Sequence, residues 1–510
     1  MSNVPPNQSV AHRGLITFLV MLATIMQALD TTIANVALPQ MQGSLQASQD
    51  QIMWVLTSYI VASAITLPMT GWLCGRWGQR KVFIVSVLGF TVASVLCGLA
   101  TSLTGIVAAR LLQGVFGAAL VPLSQAVLLD INPREKVGQA MAIWGAGTMV
   151  GPILGPLLGG WITDNFNWRW VFFINLPVGI FTLLGIARFL PDSRPQSQRL
   201  DMFGFVTLSI AIGMLQMFLD RGELLDWFDS WEIRLEAITA AVAFAFFVAH
   251  TWTAEGALFF NRDLLKDGNF VIGLLFAFIV GMILYGTMAL LPTFLQTLMG
   301  YPVVDTGIVI APRGIGTMVS MVFVARLLQR FDVRTNMAIG FGLSAFALWQ
   351  MTRFTLQMDS WLIIVSGFIQ GVGTGFTFAQ LPTVTFATLA PRLRLQGTPV
   401  FSLLRNIGSS VGISLAQMLL TERAVKAHTV LAATVAQGNN ALPTLPPLLN
   451  PASTLGLELL NDEVTRQSLL IGYLDDFRIM MLITLLAMPL LLLLRTPRFA
   501  ATNSPVEVPH

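Results

Sequence analysis

Residues 82–101 read VFIVSVLGFTVASVLCGLAT, a run of twenty residues without a charged side chain. An α-helix of this length measures about 30 Å, which is the thickness of the hydrocarbon core of a bilayer. In the bilayer every backbone amide must find its partner within its own segment, so a run this long and apolar indicates a helix rather than a strand of a barrel. The stretch therefore predicts a membrane-spanning helix.

Runs of the same kind recur along most of the chain. Of its 510 residues 55% are hydrophobic and 11% are charged, whereas a soluble domain carries about 25% charged residues. We therefore predict an all-α polytopic membrane protein with about fourteen spans. They are placed at 14–37, 52–73, 82–101, 105–129, 140–162, 169–190, 203–219, 235–253, 270–292, 306–328, 335–355, 361–385, 399–421 and 474–495.

The distribution of Lys and Arg predicts the orientation of these helices. With the N-terminus inside, 18 of them fall in loops on the inner side and 7 in loops on the outer side. Because cytoplasmic loops carry the excess of Lys and Arg, we expect both termini in the cytoplasm. The net charge of +3 is spread over short loops and forms no basic stripe, so we expect no nucleic-acid partner.

A weak internal repeat predicts two lobes. The LQGV of residues 112–115 reappears as IQGV at 369–372, and each lies in the fourth helix of a six-helix block if helices seven and eight are set aside. Two six-helix lobes plus two inserted helices follow, with the lobes related by an axis along the membrane normal. The predicted parts are an N-terminal lobe at 1–190, a cytoplasmic linker with the inserted helices at 191–268, a C-terminal lobe at 269–498 and a cytoplasmic tail at 499–510.

The longest hydrophilic segment is predicted as a periplasmic loop at 422–473, within the C-terminal lobe. It is Pro-rich in its middle and has weakly amphipathic patches. Loops of this length are usually functional or disordered. Both a docking surface and a tolerated insertion fit the pattern.

Asp30 is the acid that the predicted first helix carries in its outer half. A charge at the bilayer centre costs about 2.5–3.5 kcal/mol, so such a residue is a functional candidate. Desolvation raises the pKa of a carboxyl group, and a nearby cation lowers it. A carboxylate balanced between these two effects can act as a reversible proton carrier. A structural carboxylate near the outer interface is the alternative.

Arg110 opens the predicted fourth helix and shares one face with Gln113, Gly114 and Gly117. The glycines allow close approach of another helix, while Arg and Gln present hydrogen-bond donors to the interior. A purely structural pairing of these polar side chains within the protein would explain the same arrangement. Further polar residues predicted within the spans are candidates for a cavity, which gives the set Gln27, Asn35, Gln113, Gln370 and Arg313.

The predicted fifth helix combines glycines at four-residue spacing with two prolines. Small residues permit tight helix packing, and proline breaks the hydrogen-bond ladder and bends the helix. Packing alone would explain the glycines, but the combination favours a hinge at a moving interface. The hinge residues are Gly147, Gly151, Pro152, Gly155, Pro156 and Gly159.

Residues 71–81, GWLCGRWGQRK, form a tight cationic turn on the predicted cytoplasmic side. Glycines on either side of a cationic cluster favour a gating turn, although a loop of the positive-inside type has the same charge. The predicted gate residues are Gly71, Arg76, Gly78, Arg80 and Lys81.

Together these segments resemble the fourteen-helix drug:proton antiporters of the major facilitator superfamily, such as the EmrB-type multidrug efflux pumps. The similarity covers nearly the whole chain. It is carried by LDTTIANVALP at 29–39, GWLCGRWGQRK at 71–81, RLLQGVFG at 110–117, the glycine–proline helix at 147–160 and NWRWVFFINLPVG at 167–179.

The resemblance implies a secondary transporter of the bacterial inner membrane that exports hydrophobic or amphipathic compounds in exchange for protons and needs no cofactor. It assigns proton coupling to Asp30 and Arg110 and the hinge to Gly151, Pro152 and Gly155. It also implies a periplasmic membrane-fusion adaptor and an outer-membrane channel as partners. One departure is Gly75, where the family usually carries an acid before the arginine of the gate loop.

The sequence bears on three rival functions. An ATP-driven exporter needs a P-loop, and the chain contains no Gly-Lys dipeptide. An intramembrane enzyme or receptor is not expected, because the four histidines are scattered without zinc-ligand spacing and no nucleophile–base pair is evident. A proton-coupled exporter or symporter of one specific metabolite on the same fold remains the alternative.

Overall fold

The structure is a computed structural model that describes residues 12–192, 200–254, 259–327, 332–434 and 453–494. In these ranges it consists of helices and their connections, without a β-strand. Its α-helices are α1 (Arg13–Leu45), α2 (Gln49–Thr66), α3 (Met69–Trp77), α4 (Gln79–Leu99), α5 (Leu103–Gly117), α6 (Leu120–Ile131), α7 (Arg134–Thr148), α8 (Val150–Asn165), α9 (Trp170–Phe173), α10 (Asn175–Phe189), α11 (Met202–Arg221), α12 (Trp231–Thr253), α13 (Gly268–Thr293), α14 (Val303–Leu327), α15 (Val333–Met351), α16 (Ser360–Thr385), α17 (Pro391–Thr434) and α18 (Thr454–Ala487). Short 3-10 helices lie at Trp227–Asp229, Arg262–Lys266 and Met488–Leu493, and a π-helical turn at Phe294–Leu298 continues α13.

Eleven helical segments within the described ranges are long and apolar enough to cross a membrane. A twelfth is added if α2 and α3, bent by 56° at their junction, are counted as one span. The prediction of an all-helical membrane protein is confirmed. Helices α15 and α17 pack in the same bundle but are not among these segments, so the count of fourteen stays a prediction.

Helices α11 and α12, which correspond to the two predicted inserted helices, form a pair. Arg221 of α11 binds Glu232 and Glu236 of α12 at 3.1 and 3.0 Å. At the other end Asp201, which caps α11, accepts a hydrogen bond of 2.9 Å from Nε2 of His250 in α12. His250, which lies within the predicted span 235–253, is therefore tied to the pairing of these two helices.

Helix α11 joins this pair to the rest of the bundle. Asp220 accepts a hydrogen bond from Thr57 of α2, and Gln216 donates a hydrogen bond of 2.9 Å to Ser410 of α17. Helix α11 therefore contacts a helix from each of the two predicted lobes.

The segment 422–473, predicted as a periplasmic loop, contains the ends of two long helices. Helix α17 continues to Thr434, and α18 begins at Thr454, so the amphipathic patches at both ends of this segment are helical. The Glu422–Lys426 ion pair at i, i+4 supports the first extension, and the Ser453 side chain caps the second. Residues 435–452 lie outside the described residues.

Candidate functional site

Asp30 lies in α1 and is completely buried, with a relative exposure of 0%. Its Oδ2 accepts a hydrogen bond of 2.7 Å from Nη1 of Arg110, and its Oδ1 accepts one of 2.8 Å from Nε2 of Gln113. Arg110 also donates to Oε1 of Gln113 at 2.8 Å. The structure thus brings three of the predicted residues together, because α5 presents Arg110 and Gln113 from one face at i, i+3.

A third donor to the same carboxylate comes from α10. Nδ2 of Asn175 lies 2.8 Å from Oδ1 of Asp30 and 3.0 Å from Oγ of Ser94. Ser94 in turn donates to the carbonyl of Phe172 at 2.9 Å. The carboxylate on α1 is therefore held from both α5 and α10.

The Arg110 guanidinium is fixed on its other sides as well. Nε donates to the carbonyl of Val55 at 3.0 Å, and Cζ lies 4.4 Å from the centre of the Tyr59 ring, within the range of a cation–π interaction. Gln27, a predicted cavity residue, donates to the Tyr59 hydroxyl at 3.3 Å. Helix α2 thus completes a buried polar cluster that consists of Asp30, Arg110, Gln113, Asn175 and Tyr59.

This geometry matches the ionised form of Asp30. An ionised carboxylate only accepts hydrogen bonds, whereas a protonated one must also donate, and all three partners of Asp30 are donors. A proton on Asp30 would remove the charge that compensates Arg110 and would need an acceptor, which none of these three contacts supplies.

The predicted hinge glycines pack against α1. A Cβ at Gly151 would lie 2.7 Å from Cβ of Ala28, and one at Gly159 would lie 3.0 Å from Cγ1 of Ile33. Added carbons at Gly147 and Gly155 would clash with Met21 and Thr32, respectively. Four of the predicted hinge residues therefore face the helix that carries Asp30.

The predicted fifth helix is divided at Met149 into α7 and α8. Pro152 and Pro156 lie in α8, and Pro152 lacks the amide that would bond the carbonyl of Thr148. This explains why the ladder is interrupted at the junction of the two helices.

Helices α7 and α8 also contact the helices of the predicted C-terminal lobe. A Cβ at Gly145 in α7 would lie 3.2 Å from Cε of Met321 in α14 and 3.5 Å from the Phe378 ring in α16. A Cβ at Gly314 in α14 would clash with the Ile153 side chain in α8. Helices α7 and α8 therefore lie between α1 on one side and α14 with α16 on the other.

The predicted gate residues lie in α3, in α4 and at the junction between these two helices. A Cβ at Gly71 would lie 3.3 Å from the carbonyl oxygen of Leu395 and 3.4 Å from Cα of Gln396, so α3 packs directly on α17. Gly78, between α3 and α4, has a φ of 85°, a region that favours glycine. This glycine allows the sharp turn between the two helices.

The cationic gate residues differ in their partners. Arg80 donates to the carbonyl of Ala187 and forms an ion pair of 2.8 Å with Asp192, so it links α4 to the end of α10. Arg76 and Lys81 are exposed. The α3–α17 contact is thus made by the backbone at Gly71 rather than by the cations.

The other predicted cavity residues do not join the Asp30 cluster. Asn35 is exposed on α1. Gln370 on α16 is 1% exposed, and neither of its amide atoms has a hydrogen-bond partner among the described residues. Arg313 on α14 is buried, and it donates to Thr287 and to the carbonyl of Leu284 on α13.

Sequence reasoning missed Asn175, Tyr59 and Ser94. Asn175 lies inside the stretch 167–179 that carried the family resemblance, so this resemblance could have identified it as a candidate. Tyr59 is one of only four tyrosines in the chain. Ser94 carried no such signal, because serines are common in transmembrane helices.

The sequence is similar to known proteins along most of its length. The family model of the Major Facilitator Superfamily matches residues 20–413. Multidrug export protein EmrB of Escherichia coli (strain K12) is 35% identical over 471 residues, which are 91% of this chain and 91% of EmrB. Fatty acid resistance protein FarB of Neisseria gonorrhoeae is 35% identical over 501 residues, which are 97% of this chain and 98% of FarB.

The fold is similar to that of the human organic anion transporter MFSD10. The TM-score is 0.62 at 14% sequence identity, with 94% of this chain and 99% of the other covered, and at this identity the likeness concerns the fold alone. The apolar helices and the bacterial relatives identify a multi-pass protein of the bacterial inner membrane. The chain is a transporter, not an enzyme, and it belongs to the major facilitator superfamily, in the group of the EmrB-type multidrug export proteins.

Proposed function

We propose that this protein exports hydrophobic or amphipathic compounds in exchange for protons and thereby confers resistance to them. The observation that carries the proposal is the completely buried Asp30, held by donors from α5 and α10. The names of two relatives, a multidrug export protein and a fatty acid resistance protein, support substrates of this kind. The driving force would be the proton gradient, and no cofactor is required.

The Asp30 cluster suggests how proton binding would drive transport. A proton reaching Asp30 from the periplasm would release α1 from its donors on α5 and α10. Because α8 packs on α1 through Gly151 and Gly155, this movement would pass to the hinge and from there to α14. Binding of the exported compound from the inner side would favour the opposite state, as alternating access requires.

The proposed architecture keeps fourteen spans in two six-helix lobes with both termini in the cytoplasm. Helices α15 and α17 would supply two of the spans, since both pack within the bundle. The lobes would cover 1–190 and 269–498, with α11 and α12 as the insert between them. Separation of α3 from α17 at Gly71 would then open the cytoplasmic gate.

A periplasmic membrane-fusion adaptor and an outer-membrane channel are proposed as partners. The helical extensions of α17 and α18 beyond the predicted spans offer exposed apolar side chains, namely Val425, Val430, Leu455 and Leu457. They would lie on the periplasmic side in the proposed orientation. Undiminished efflux into the medium by cells that lack every adaptor would contradict this assignment.

The alternative is a proton-coupled exporter or symporter of one metabolite, and two measurements decide between the readings. A deletion strain should become more susceptible to several unrelated lipophilic toxins, whereas a dedicated exporter would affect one compound. Efflux against a concentration gradient should stop when the proton gradient is collapsed. Uphill efflux that persists after the collapse would overturn proton coupling.

A further inference from the structure

A cavity of about 1250 Å³ lies between the inserted helices α11 and α12 and the helices α13 and α17. Pockets that hold drug-sized ligands measure about 300–1,000 Å³, so this cavity has room for a larger molecule. Its walls are mostly apolar, with Phe247 from α12 and Leu274 and Phe278 from α13 among them. Because apolar surface gains free energy when it leaves water, these walls favour an apolar occupant.

The cavity opens towards the bilayer between α12 and α13. Two of its lining residues on α12, Phe244 and Trp252, are 54% and 62% exposed, and two on α13, Val271 and Leu275, are 39% and 45% exposed. Both helices belong to the segments that are long and apolar enough to cross the membrane, so these side chains face lipid. The molecules with direct access to the cavity are therefore those of the bilayer.

The charged residues of the lining lie together at one end of the cavity. Asp201 caps the start of α11, and Arg262, Asp263 and Lys266 belong to the short 3-10 helix that precedes α13. In the predicted orientation this is the cytoplasmic end. Trp252 lies in the last turn of α12 at the same end, and Trp is enriched at the level of lipid head groups. The cavity is thus charged at its cytoplasmic end and apolar beyond it, which fits an amphiphile of the inner leaflet.

Cations outnumber acids at this charged end. Lys266 and Arg392 both bind Asp263, at 2.8 and 3.7 Å, and Asp201 is bound by the histidine of α12. Arg262 donates to two backbone carbonyls at the end of α12, and none of the ion pairs within the described ranges includes it. A guanidinium that keeps its charge favours a phosphate, and basic pockets between membrane helices on the cytoplasmic side bind anionic lipid head groups.

The length of the cavity fits lipid chains. Along α12 the lining runs from Thr251 to Ala237, which is about 21 Å at 1.5 Å per residue. Along α11 it runs from Leu208 to Phe218, about 15 Å on the same basis. The hydrocarbon layer of one leaflet is also about 15 Å thick, half of the bilayer core. Acyl chains that start from a head group at Arg262 would therefore follow the apolar wall along its whole length.

We propose that this cavity binds one phospholipid of the inner leaflet, with its anionic head group at Arg262 and its acyl chains between α12 and α13. The cavity wall also contains Gly71 and Gln396, where α3 packs on α17. The bound lipid thus joins the inserted helices to the predicted cytoplasmic gate. This inference does not depend on the proposed export function.

The test measures lipid binding to the purified and delipidated full-length protein by native mass spectrometry. Three lipids with the same 1-palmitoyl-2-oleoyl chains are compared, namely phosphatidylglycerol, phosphatidylethanolamine and the diacylglycerol without a phosphate. The wild type should bind one phosphatidylglycerol most tightly and the diacylglycerol most weakly. Arg262→Gln should raise the Kd of phosphatidylglycerol by about 10- to 100-fold, the value of a charged hydrogen bond, and leave the Kd of the diacylglycerol unchanged.

Matched variants separate loss of the site from a folding defect. Arg234→Gln is the control for the head group, because Arg234 also donates to backbone carbonyls but lies at the other end of α12. Ala241→Trp fills the cavity from α12 and should weaken phosphatidylglycerol and diacylglycerol alike, by about 10-fold or more, as overpacking does. Ala249→Trp is its control, since Ala249 is exposed on the same helix outside the lining.

The outcomes decide between a lipid and other occupants. Phosphatidylglycerol binding that is unchanged in either Arg262→Gln or Ala241→Trp would overturn the site, and so would equal affinity of the wild type for all three lipids. Displacement of the bound phosphatidylglycerol by one molecule of rhodamine 6G, a lipophilic dye, would show that the cavity holds transported compounds instead. Wild-type binding in both control variants, together with the two predicted losses, supports the lipid site.

Discussion

Oδ2 of Asp30 lies 2.7 Å from Nη1 of Arg110, and the two side chains are 0% and 1% exposed. A buried ion pair of this kind is weak evidence for stability, because desolvation offsets much of the attraction. In the proposed mechanism the pair acts as a switch, since a single proton would remove one charge and leave the other uncompensated. The contacts of Asn175 and Gln113 to the same carboxylate define how strongly the charged form is held.

The first prediction concerns Asn175, which sequence reasoning missed. Asn175→Ala removes one donor from the Asp30 carboxylate, so the buried cluster loses a contact that holds α1 to α10. Hydrogen bonds to charged groups contribute about 1.5–3 kcal/mol, so transport driven by a proton gradient should fall by about 10-fold or more. Asn165→Ala is the control, since Asn165 is exposed on α8, and wild-type transport by Asn175→Ala would remove this residue from the proposed mechanism.

The second prediction tests the packing of the hinge on α1. A Cβ at Gly155 would clash with Oγ1 of Thr32, whereas one at Gly160 would meet nothing within 4 Å. Gly155→Ala should therefore reduce transport strongly and destabilise the protein by about 1–3 kcal/mol, as overpacking does. Gly160→Ala on the same helix should keep wild-type transport and thermal stability, and equal behaviour of the two variants would refute the close contact.

A third prediction addresses the cytoplasmic gate. Gly71→Cys and Gln396→Cys, combined with alanine at the native Cys74 and Cys97, place two thiols where α3 meets α17. Oxidation should join the helices and stop transport, and reduction should restore it. Each single cysteine variant should be insensitive to the oxidant. Full transport by the cross-linked protein would show that α3 and α17 need not separate.

The fourth prediction follows from the cap of α11. Burial acts to raise the pKa of Asp201, but the amides of Gly204 and Phe259 and the His250 ring outweigh it, so the pKa lies below its ordinary value of 3.8. A lowered pKa means that the ionised carboxylate stabilises the fold above that value and loses this effect as the pH falls through the folded pKa.

The matching variant is Asp201→Asn. It should lower the unfolding temperature at neutral pH, and the difference from the wild type should shrink below about pH 4. Asp462→Asn, which changes an exposed aspartate on α18, should have little effect at any pH. A difference between Asp201→Asn and the wild type that grows with acidity would contradict the assignment.

The sequence predicted the centre of the candidate site because charges in apolar helices are costly and therefore few. Asp30 and Arg110 stood out for this reason, and the spacing of Gln113 placed it beside Arg110. Asn175 carries no charge, and its direction depends on the break between α9 and α10 at Ile174. A hydropathy profile alone does not predict this break between the two helices.

Other features depended on contacts that linear patterns do not encode. Arg313 was predicted as a cavity residue, but its position in a helix does not reveal that its hydrogen-bond partners on α13 are a hydroxyl and a carbonyl. The ends of the segment 422–473 were predicted as loop because they are polar. Polar residues with helical propensity and i, i+4 pairs continue a helix beyond the apolar core, which explains the longer α17 and α18.

The central claim is that Asp30 carries the coupling proton, and Asp30→Asn in proteoliposomes tests it most directly. Asparagine has nearly the same shape but binds no proton, so the variant should still exchange substrate across the membrane in a counterflow assay. It should fail to accumulate substrate against its gradient when a pH difference is imposed. Counterflow shows that the variant is folded, and accumulation at the wild-type level by Asp30→Asn would contradict the claim.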